Sequence, residues 1–550
     1  MSTITSSVAD WPAAPAVPAP PFPLTALQKL LLPVGAILFD VLFWQERAAL
    51  NMLLYTLFVV GGGLAGLPRT ALVWRSGYFR LTLAGTLLSA ALVAVYGSDA
   101  ALLSCMASLA AWLGYVNQAH LKLVGYALLT GVANLLPAAR RLTQLLRLPE
   151  NVGGRLSRAW YYGRLLGVPL LALLIFHILF AVANPRYAAL TDRVLDLLSR
   201  ALELLFARLS VPHLLFFGLG LLLTAGAIFI IPVHFFADQE SRFGEFVRRQ
   251  RDRVASLAVR RPDFRPQRFG PLDLRKEYLM ALGLIGLVNV LLLVVNTIDV
   301  SWIWFGFVPA PGFDLTQFVH EGTYVLILSI LVAMAIVLWF FRRNLNFYQP
   351  GLRVLRWAAT VWVLQNAVLA VSVGLRNYYY IQYTGLAYKR IGVYGFLLLT
   401  FFGLATVLLK IWQRRSAYAL FRLNALAVYA VMLLLAAGNW EVWIVRYNLQ
   451  ARFRLVDYGF LLDMPDRVLP ELAAREASLT GRALNREGGY NTWVPLPEQT
   501  AREMLRARIV GFRAQQAARH WPSYTLADFQ AARYFAAHPV TAAGHAAVLR

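Results

Sequence analysis

Apolar stretches of about 20 residues recur along most of the chain and are separated by short polar turns. A helix of about 20 apolar residues is long enough to cross the hydrocarbon core of a bilayer. The pattern therefore predicts an all-α fold, a polytopic transmembrane helical bundle of about 11 spans. The predicted spans cover residues 30–45, 50–67, 81–97, 100–116, 165–184, 212–234, 277–298, 321–341, 355–375, 391–410 and 418–437.

Three regions of the chain differ in pattern. Residues 1–27 are rich in Pro and Ala without a helical period, which predicts a disordered tail. Residues 28–437 contain the predicted spans and form the transmembrane helical domain. Residues 438–550 contain no apolar run long enough to cross a membrane, and their pattern is mostly helical. We therefore expect a small, mostly helical C-terminal domain outside the membrane.

The basic loops predict the orientation of the bundle. Residues 117–164 and 237–276 are strongly basic, and such loops are expected to stay in the cytoplasm. Residues 121–136 are apolar but short, and we interpret them as a segment lying at the cytoplasmic interface. The amino terminus is then cytoplasmic, and the C-terminal domain lies outside a bacterial inner membrane. If residues 121–136 instead cross the membrane, the side of the carboxyl terminus changes.

Composition agrees with a membrane protein and narrows its partners. Charged residues make up 15% of the chain, against about 25% in soluble domains, and hydrophobic residues make up 59%. The net charge of +24 arises mainly in loops, which favours the positive-inside rule over nucleic-acid binding. The single cysteine, Cys105, excludes an internal disulfide and a cysteine-based metal site. We expect the lipid bilayer as a partner, and no cofactor.

The most specific constellation lies between residues 365 and 394, and the chain is predicted to turn at Thr384–Gly385 within it. Gln365, Ser372 and Arg376 share one face of a helix, and this face is expected to point into the bundle. Arg376 and the Lys389–Arg390 pair would hold an anionic lipid headgroup or a carboxylate of another envelope protein. The alternative is an interfacial tyrosine belt with a snorkelling arginine. The tentative ligand-binding residues are Gln365, Ser372, Arg376, Tyr380, Tyr383, Lys389 and Arg390.

Other polar residues fall inside predicted spans, where placing a polar group in hydrocarbon is costly and indicates a specific role. Asp40 is interpreted either as a proton or ion site or as a hydrogen-bonding group between helices. Asn289 and Asn296 are spaced to join helices through one face. His320 and Glu321 lack the second histidine of a zinc hydrolase motif, and a helix-capping role is favoured for them. No metal site and no catalytic residue is predicted.

Several short motifs, taken in order, resemble a bacterial membrane family. The similarity is to the domain of unknown function numbered 4173, with the 4153 group as near kin, and it covers residues from about 30 to 470. Lys389 and the triple tyrosine depart from the family pattern. The resemblance implies an integral inner-membrane protein with an extramembrane tail, and it implies no catalytic residue. The motifs are Ala183–Asn184–Pro185, His320–Glu321–Gly322, Ser372, Arg376, Tyr380, Tyr383, Gly385–Leu386, Arg390, Arg446–Tyr447–Asn448, Asp457–Tyr458 and Leu469–Pro470.

Three functions compete at this point. The first is a non-enzymatic envelope scaffold or sensor-like component, which is favoured because no catalytic or nucleotide motif is present. The second is a transporter or lipid carrier with a polar site in the bundle, lined by Asp40 or Gln365. The third is a lipid-modifying enzyme that uses His320, Glu321 and Arg376. It requires these three side chains to converge.

Overall fold

The protein is a bundle of long apolar helices followed by a smaller C-terminal unit. Among the described residues before 438, the helices with defined bounds are α1 (Ala26–Phe43), α2 (Leu50–Ala65), α3 (Gly77–Tyr96), α4 (Asp99–Asn117), α5 (Val124–Ala133), α6 (Leu135–Leu145), α7 (Val211–Ile228), α8 (Phe235–Ser241), α9 (Pro271–Asp299), α10 (Leu315–Phe340), α11 (Leu352–Thr384), α12 (Tyr388–Gln413) and α13 (Ala417–Ala437). The structure, a computed structural model, describes residues 25–68, 70–145, 210–248, 271–308, 315–341, 344–450, 452–453, 455–476, 482–486 and 493–539, with single positions between 169 and 196.

Eight helices among the described residues are long and apolar enough to cross a membrane. They are α1, α3, α4, α7, α9 with its π-helical extension Val300–Trp304, α11, α12 and α13. Two shorter apolar helices, Leu50–Ala65 and Tyr324–Phe340, accompany them. The chain is therefore an all-α membrane protein, as predicted.

The helices can be matched to the predicted spans one by one. Ten predicted spans coincide with a helix, whereas residues 165–184 lie almost entirely outside the described residues. The expected count of about 11 is therefore not confirmed. Residues 121–136 form α5 and the start of α6, which have 10 and 11 residues. Each rises only about 15 Å, half of the hydrocarbon thickness, so neither can cross alone.

Glycine allows a close contact between the backbones of α4 and α5. A Cβ atom added to Gly114 would lie 1.7 Å from the carbonyl oxygen of Ala127. One added to Gly131 would lie 2.0 Å from the carbonyl oxygen of Ala110. The two backbones therefore touch, which is how small residues bring membrane helices together.

The C-terminal segment, which we define as the described residues from 438 to 539, combines short helices with a small sheet. Strand β1 (Val456–Asp457) pairs in parallel with β2 (Ala483–Arg486), and β2 pairs antiparallel with β3 (Trp493–Pro495). The sequence predicted no sheet here, because strands of two to four residues are too short to show alternation. The helices are α14 (Trp440–Asn448), α15 (Tyr458–Leu462), α16 (Leu469–Ala474), α17 (Glu498–Ala518) and α18 (Leu526–Ala537).

The C-terminal segment has its own apolar core and contacts one end of the bundle. Tyr458, Leu469, Phe512 and Phe535 are fully or almost fully buried in that core. We call the contacted end, formed by the turns 44–49, 97–98 and 385–387, the docked end. The opposite end, formed by the turns 66–76, 118–123 and 414–416, is the far end.

Candidate functional site

A ladder of side-chain amides joins α9 to α11. Nε2 of Gln365 donates to Oδ1 of Asn289 at 2.9 Å, and Nδ2 of Asn289 donates to the carbonyl oxygen of Ala358 at 3.0 Å. Two turns further along α9, Nδ2 of Asn296 donates to the carbonyl oxygen of Gln365 at 3.0 Å. The predicted polar face of α11 therefore meets the predicted asparagine face of α9.

A buried ion pair continues this ladder toward the docked end. Nη2 of Arg376 donates to Oδ1 of Asp299 at 2.7 Å, and the two side chains are 10% and 5% exposed. A charge in hydrocarbon is costly unless it is paired, so each group stabilises the charged form of the other. Asp299 was not singled out in the sequence, although it follows Asn289 and Asn296 on the same helix face.

Ser372 lies between these two polar contacts and binds the π-helical turn. Its Oγ accepts a hydrogen bond from Nε1 of Trp304 at 3.0 Å. Val300–Trp304 is the π-helical turn that follows α9 directly after Asp299. Single π-helical turns occur preferentially at functional positions. We name the contact of Asn289, Asn296, Asp299, Gln365, Ser372 and Arg376 the α9–α11 polar seam.

The connection between α11 and α12 holds the remaining predicted residues. Arg390 donates from Nη1 to the carbonyl oxygen of Thr384 at 3.1 Å, and its guanidinium lies 4.3 Å from the ring centroid of Tyr380. Tyr380 is buried, whereas Tyr383 is 49% exposed and Lys389 is exposed. Arg376 and Arg390 thus have different protein partners. A pocket that also uses Lys389 and Tyr383 stays a prediction.

Gly385 makes the sharp turn that was predicted in this connection. Its φ of +87° and ψ of −178° belong to a region that is essentially restricted to glycine. Asn448 of α14 stabilises the turn, because its Oδ1 accepts a hydrogen bond from the backbone N–H of Leu386 at 2.6 Å. Its Nδ2 donates to the carbonyl oxygen of Leu386 at 2.9 Å. The C-terminal segment is thereby attached to the seam-bearing helix.

Asp40 lies away from the seam and has a histidine partner. Nε2 of His213 is 2.8 Å from Oδ1 and 2.9 Å from Oδ2 of Asp40. The His213 ring stacks on Trp44 with a centroid distance of 4.1 Å. Asp40 therefore joins the end of α1 to the start of α7 near the docked end. A proton or ion site at Asp40 stays a prediction.

His320 and Glu321 belong to the first half of α10. Their side chains lie outside the described residues, so their convergence with Arg376 stays a prediction. No group of three or more His, Cys, Asp or Glu side chains that could hold a metal ion occurs among the residues described.

Comparison with known proteins gives one match. Residues 70–474 match the family described as "Domain of unknown function (DUF4153)". The chain belongs to the DUF4153 family. No curated protein and no solved structure matches it significantly. The DUF4153 region includes the whole polar seam and the Gly385 turn, whereas Asp40 precedes it.

A pocket at the far end, with a buried carboxylate in its wall, was missed in the sequence. Its volume is about 270 Å³, and Glu240 at its wall is 7% exposed. Glu240 accepts from the backbone N–H of Leu123 at 2.8 Å and from the hydroxyl of Tyr418 at 2.5 Å. The carboxylate thus joins α8 to α13 and to the turn before α5. The pocket is lined by His120, Leu121, Lys122, Ala237, Glu240, Ser241, Phe243, Glu245 and Tyr418.

Ionised side chains also fasten the C-terminal segment to the docked end. Arg467 pairs with Glu441 at 2.5 Å, with side chains only 3% and 8% exposed, and donates to the carbonyl oxygen of Tyr96. In the α1–α2 turn, Glu46 accepts from the Ser523 hydroxyl and lies 2.5 Å from Nδ1 of His520. The Ser523 hydrogen bond, together with His520, lowers the pKa of the Glu46 carboxyl below its ordinary 4.5.

Proposed function

We propose that this DUF4153 protein is a non-enzymatic component of the bacterial inner membrane, which presents its C-terminal segment as a docking platform for another envelope protein. The hydrogen bond from Arg467 to the carbonyl oxygen of Tyr96, at the end of α3, carries the proposal. Arg467 is held for this contact by its buried ion pair with Glu441 of the same segment, which favours one fixed placement over a mobile tail. Kinship with family 4173 is part of the same proposal.

The polar seam supports a structural role for the bundle. The amide groups of Asn289 and Gln365 bind across the α9–α11 contact, and Arg376 binds Asp299. Groups that are used in this way hold helices together in the absence of a hydrophobic driving force. Exposed apolar side chains on α9, such as Leu287 at 74% and Val290 at 63%, suit contact with lipid.

The proposed orientation puts the far end in the cytoplasm and the docked end outside. Arg75, Lys122, Arg414 and Arg415 all lie in turns of the far end. Excess arginine and lysine in short loops marks the cytoplasmic side.

Cysteine labelling tests this orientation. With Cys105 replaced by serine, we expect a cysteine at Thr500 to react with an impermeant maleimide in spheroplasts. A cysteine at His120 should react only after lysis, and the reverse labelling would overturn the orientation.

Site-specific photo-crosslinking in cells tests the platform. Phe529 on α18 is 54% exposed, and a photoreactive phenylalanine there should give a reproducible crosslink to a second protein. The matched control places the same residue at Leu287, which faces outward on α9 and should give no protein crosslink. Absence of any recurring crosslink from Phe529 and from the exposed Val510 would overturn the platform.

A transporter is the second candidate, because one observation favours it. Oδ1 of Asn296, Oδ2 of Asp299 and Oε1 of Gln365 are buried without a hydrogen-bond partner among the described residues. They lie on one seam, beside a π-helical turn, and irregular helices near polar oxygens are typical of transport sites. Proteoliposomes with a trapped pH-sensitive dye would show a proton flux that Asp299→Asn abolishes. Flux equal to that of protein-free vesicles would exclude proton transport.

A further inference from the structure

Arg356, in the second turn of α11 at the far end, carries a partly buried positive charge without a counter-ion among the described residues. Its Nε and Nη2 atoms are inaccessible to solvent and have no hydrogen-bond partner there. Its guanidinium lies 5.8 Å from the ring centroid of Trp412. A buried charged donor left unpaired costs several kcal/mol in principle, so the site is suited to an anion.

Arg414 adds a second positive charge at the same place. It follows the last residue of α12 and comes two positions after Trp412, over whose ring the Arg356 guanidinium lies. Its guanidinium is 5.0 Å from the ring centroid of Phe347. Its φ of +54° is in the left-handed region, where a residue with a Cβ costs about 1–2 kcal/mol. Glycine is usual at such a helix end, so an arginine at this position indicates a role for its side chain.

The acidic group that lies beside the neighbouring Arg415 is already used elsewhere. Glu245 binds Arg422 at 3.1 Å and lies 3.9 Å from Arg415. No carboxylate within the described ranges forms an ion pair with Arg356 or Arg414. The guanidinium pair is therefore an anion site whose counter-charge does not come from that part of the chain.

Two tryptophan side chains indicate how deep Arg356 and Arg414 lie in the membrane. Trp357 and Trp412 are 55% and 42% exposed, and their rings meet edge to face at 5.4 Å. Exposed tryptophan pairs are enriched where the hydrocarbon core meets the headgroups. Arg356 is thus expected at headgroup level, beside an apolar surface that suits the first methylenes of a lipid.

We propose that Arg356 and Arg414 bind the phosphate of an anionic phospholipid, with Trp357 and Trp412 against its glycerol backbone and acyl chains. Two guanidinium groups can donate to both non-bridging oxygens of a phosphodiester. Basic pockets between helices at the cytoplasmic side are typical lipid headgroup sites. This site differs from the Arg376 and Arg390 positions considered above.

The test measures thermal unfolding of the purified full-length protein in detergent supplemented with phosphatidylglycerol or with phosphatidylcholine. We expect phosphatidylglycerol to raise the unfolding midpoint of the natural protein relative to phosphatidylcholine. The double variant Arg356→Gln/Arg414→Gln should lose more than half of that difference. The control variant Arg353→Gln removes a positive charge one turn earlier, from an exposed position. It should keep the full difference in unfolding midpoint between the two lipids.

The alternative outcomes each overturn the proposal. If Arg353→Gln and the double variant lose the phosphatidylglycerol effect on the unfolding midpoint to the same extent, general positive charge, and not this pair, attracts the lipid. Inorganic phosphate at millimolar concentration producing the full rise would mean that no lipid is needed. If the double variant does not fold, Arg356→Lys/Arg414→Lys keeps both charges but not the bidentate geometry. If the apparent phosphatidylglycerol affinity of this lysine variant lies within twofold of that of the natural protein, the result counts against the site.

Discussion

Nη2 of Arg376 and Oδ1 of Asp299 lie 2.7 Å apart at the contact between α9 and α11, and both side chains are buried. The pair stands next to the amide ladder of Asn289, Asn296 and Gln365. Arg376 was the residue on which a binding role for residues 365–394 depended. Because its guanidinium is engaged with a carboxylate of the same chain, a ligand at Arg376 has to compete with Asp299.

The first prediction concerns this ion pair. Arg376→Met leaves Asp299 buried and charged, and should lower the free energy of unfolding by roughly 3–5 kcal/mol. Arg376→Met combined with Asp299→Leu removes both charges and should recover most of that loss. The thermal unfolding midpoint in detergent measures both effects.

Lys389→Met is the matched control for that experiment, because it also replaces a cation by methionine but at an exposed position. We expect a change within about 0.5 kcal/mol. A double variant as unstable as Arg376→Met alone would show that the two charges do not depend on each other.

The second prediction concerns the amide ladder. Gln365→Leu removes the hydrogen bond to Asn289 and should cost about 0.6 kcal/mol, and no more than about 1.7 kcal/mol. A double-mutant cycle with Asn289→Leu isolates the interaction between the two side chains. Additive effects of the two substitutions would show that this hydrogen bond contributes nothing to stability.

The helices could be predicted from the sequence because a span needs only length and hydrophobicity. Thus α13 ends at Ala437, where the predicted span 418–437 ends, and the turn at Gly385 was also predicted. The strands β1, β2 and β3 could not be predicted, because strands of two to four residues are too short to show alternation. Helix α11 extends beyond the predicted span 355–375 and continues through Tyr378 and Tyr380 to Thr384.

The partners of the polar residues were harder to predict than their positions. Spacing alone placed Gln365, Ser372 and Arg376 on one face, but it could not identify which helix they meet. Asp299 lies one residue beyond the predicted span 277–298 and was not singled out. His213, the partner of Asp40, is 173 residues away from it in the chain. Such pairs depend on the packing of the whole bundle.

The third prediction concerns the turn between α11 and α12. Gly385→Ala puts a Cβ atom 2.6 Å from Oδ1 of Asn448 in a backbone conformation that favours glycine. We expect a loss of about 1–3 kcal/mol in unfolding free energy. Gly392→Ala is the control, since a Cβ atom there meets no atom within 4 Å and alanine favours a helix. Equal midpoints for the two variants would contradict the strain at Gly385.

The last prediction concerns the attachment of the C-terminal segment to Glu46. Because the pKa of Glu46 is lowered in the folded protein, its stabilising contribution is fully present above pH 4.5 and is lost as the pH falls through the lower folded value. Glu46→Gln should therefore cost roughly 1.5 kcal/mol at pH 7 and less as the pH falls below 4.5. Unfolding midpoints across this pH range measure the difference, with the exposed Glu503→Gln as the control. A difference between natural protein and Glu46→Gln that stays constant from pH 7 to pH 3 would show that the ionised carboxylate does not hold the segment.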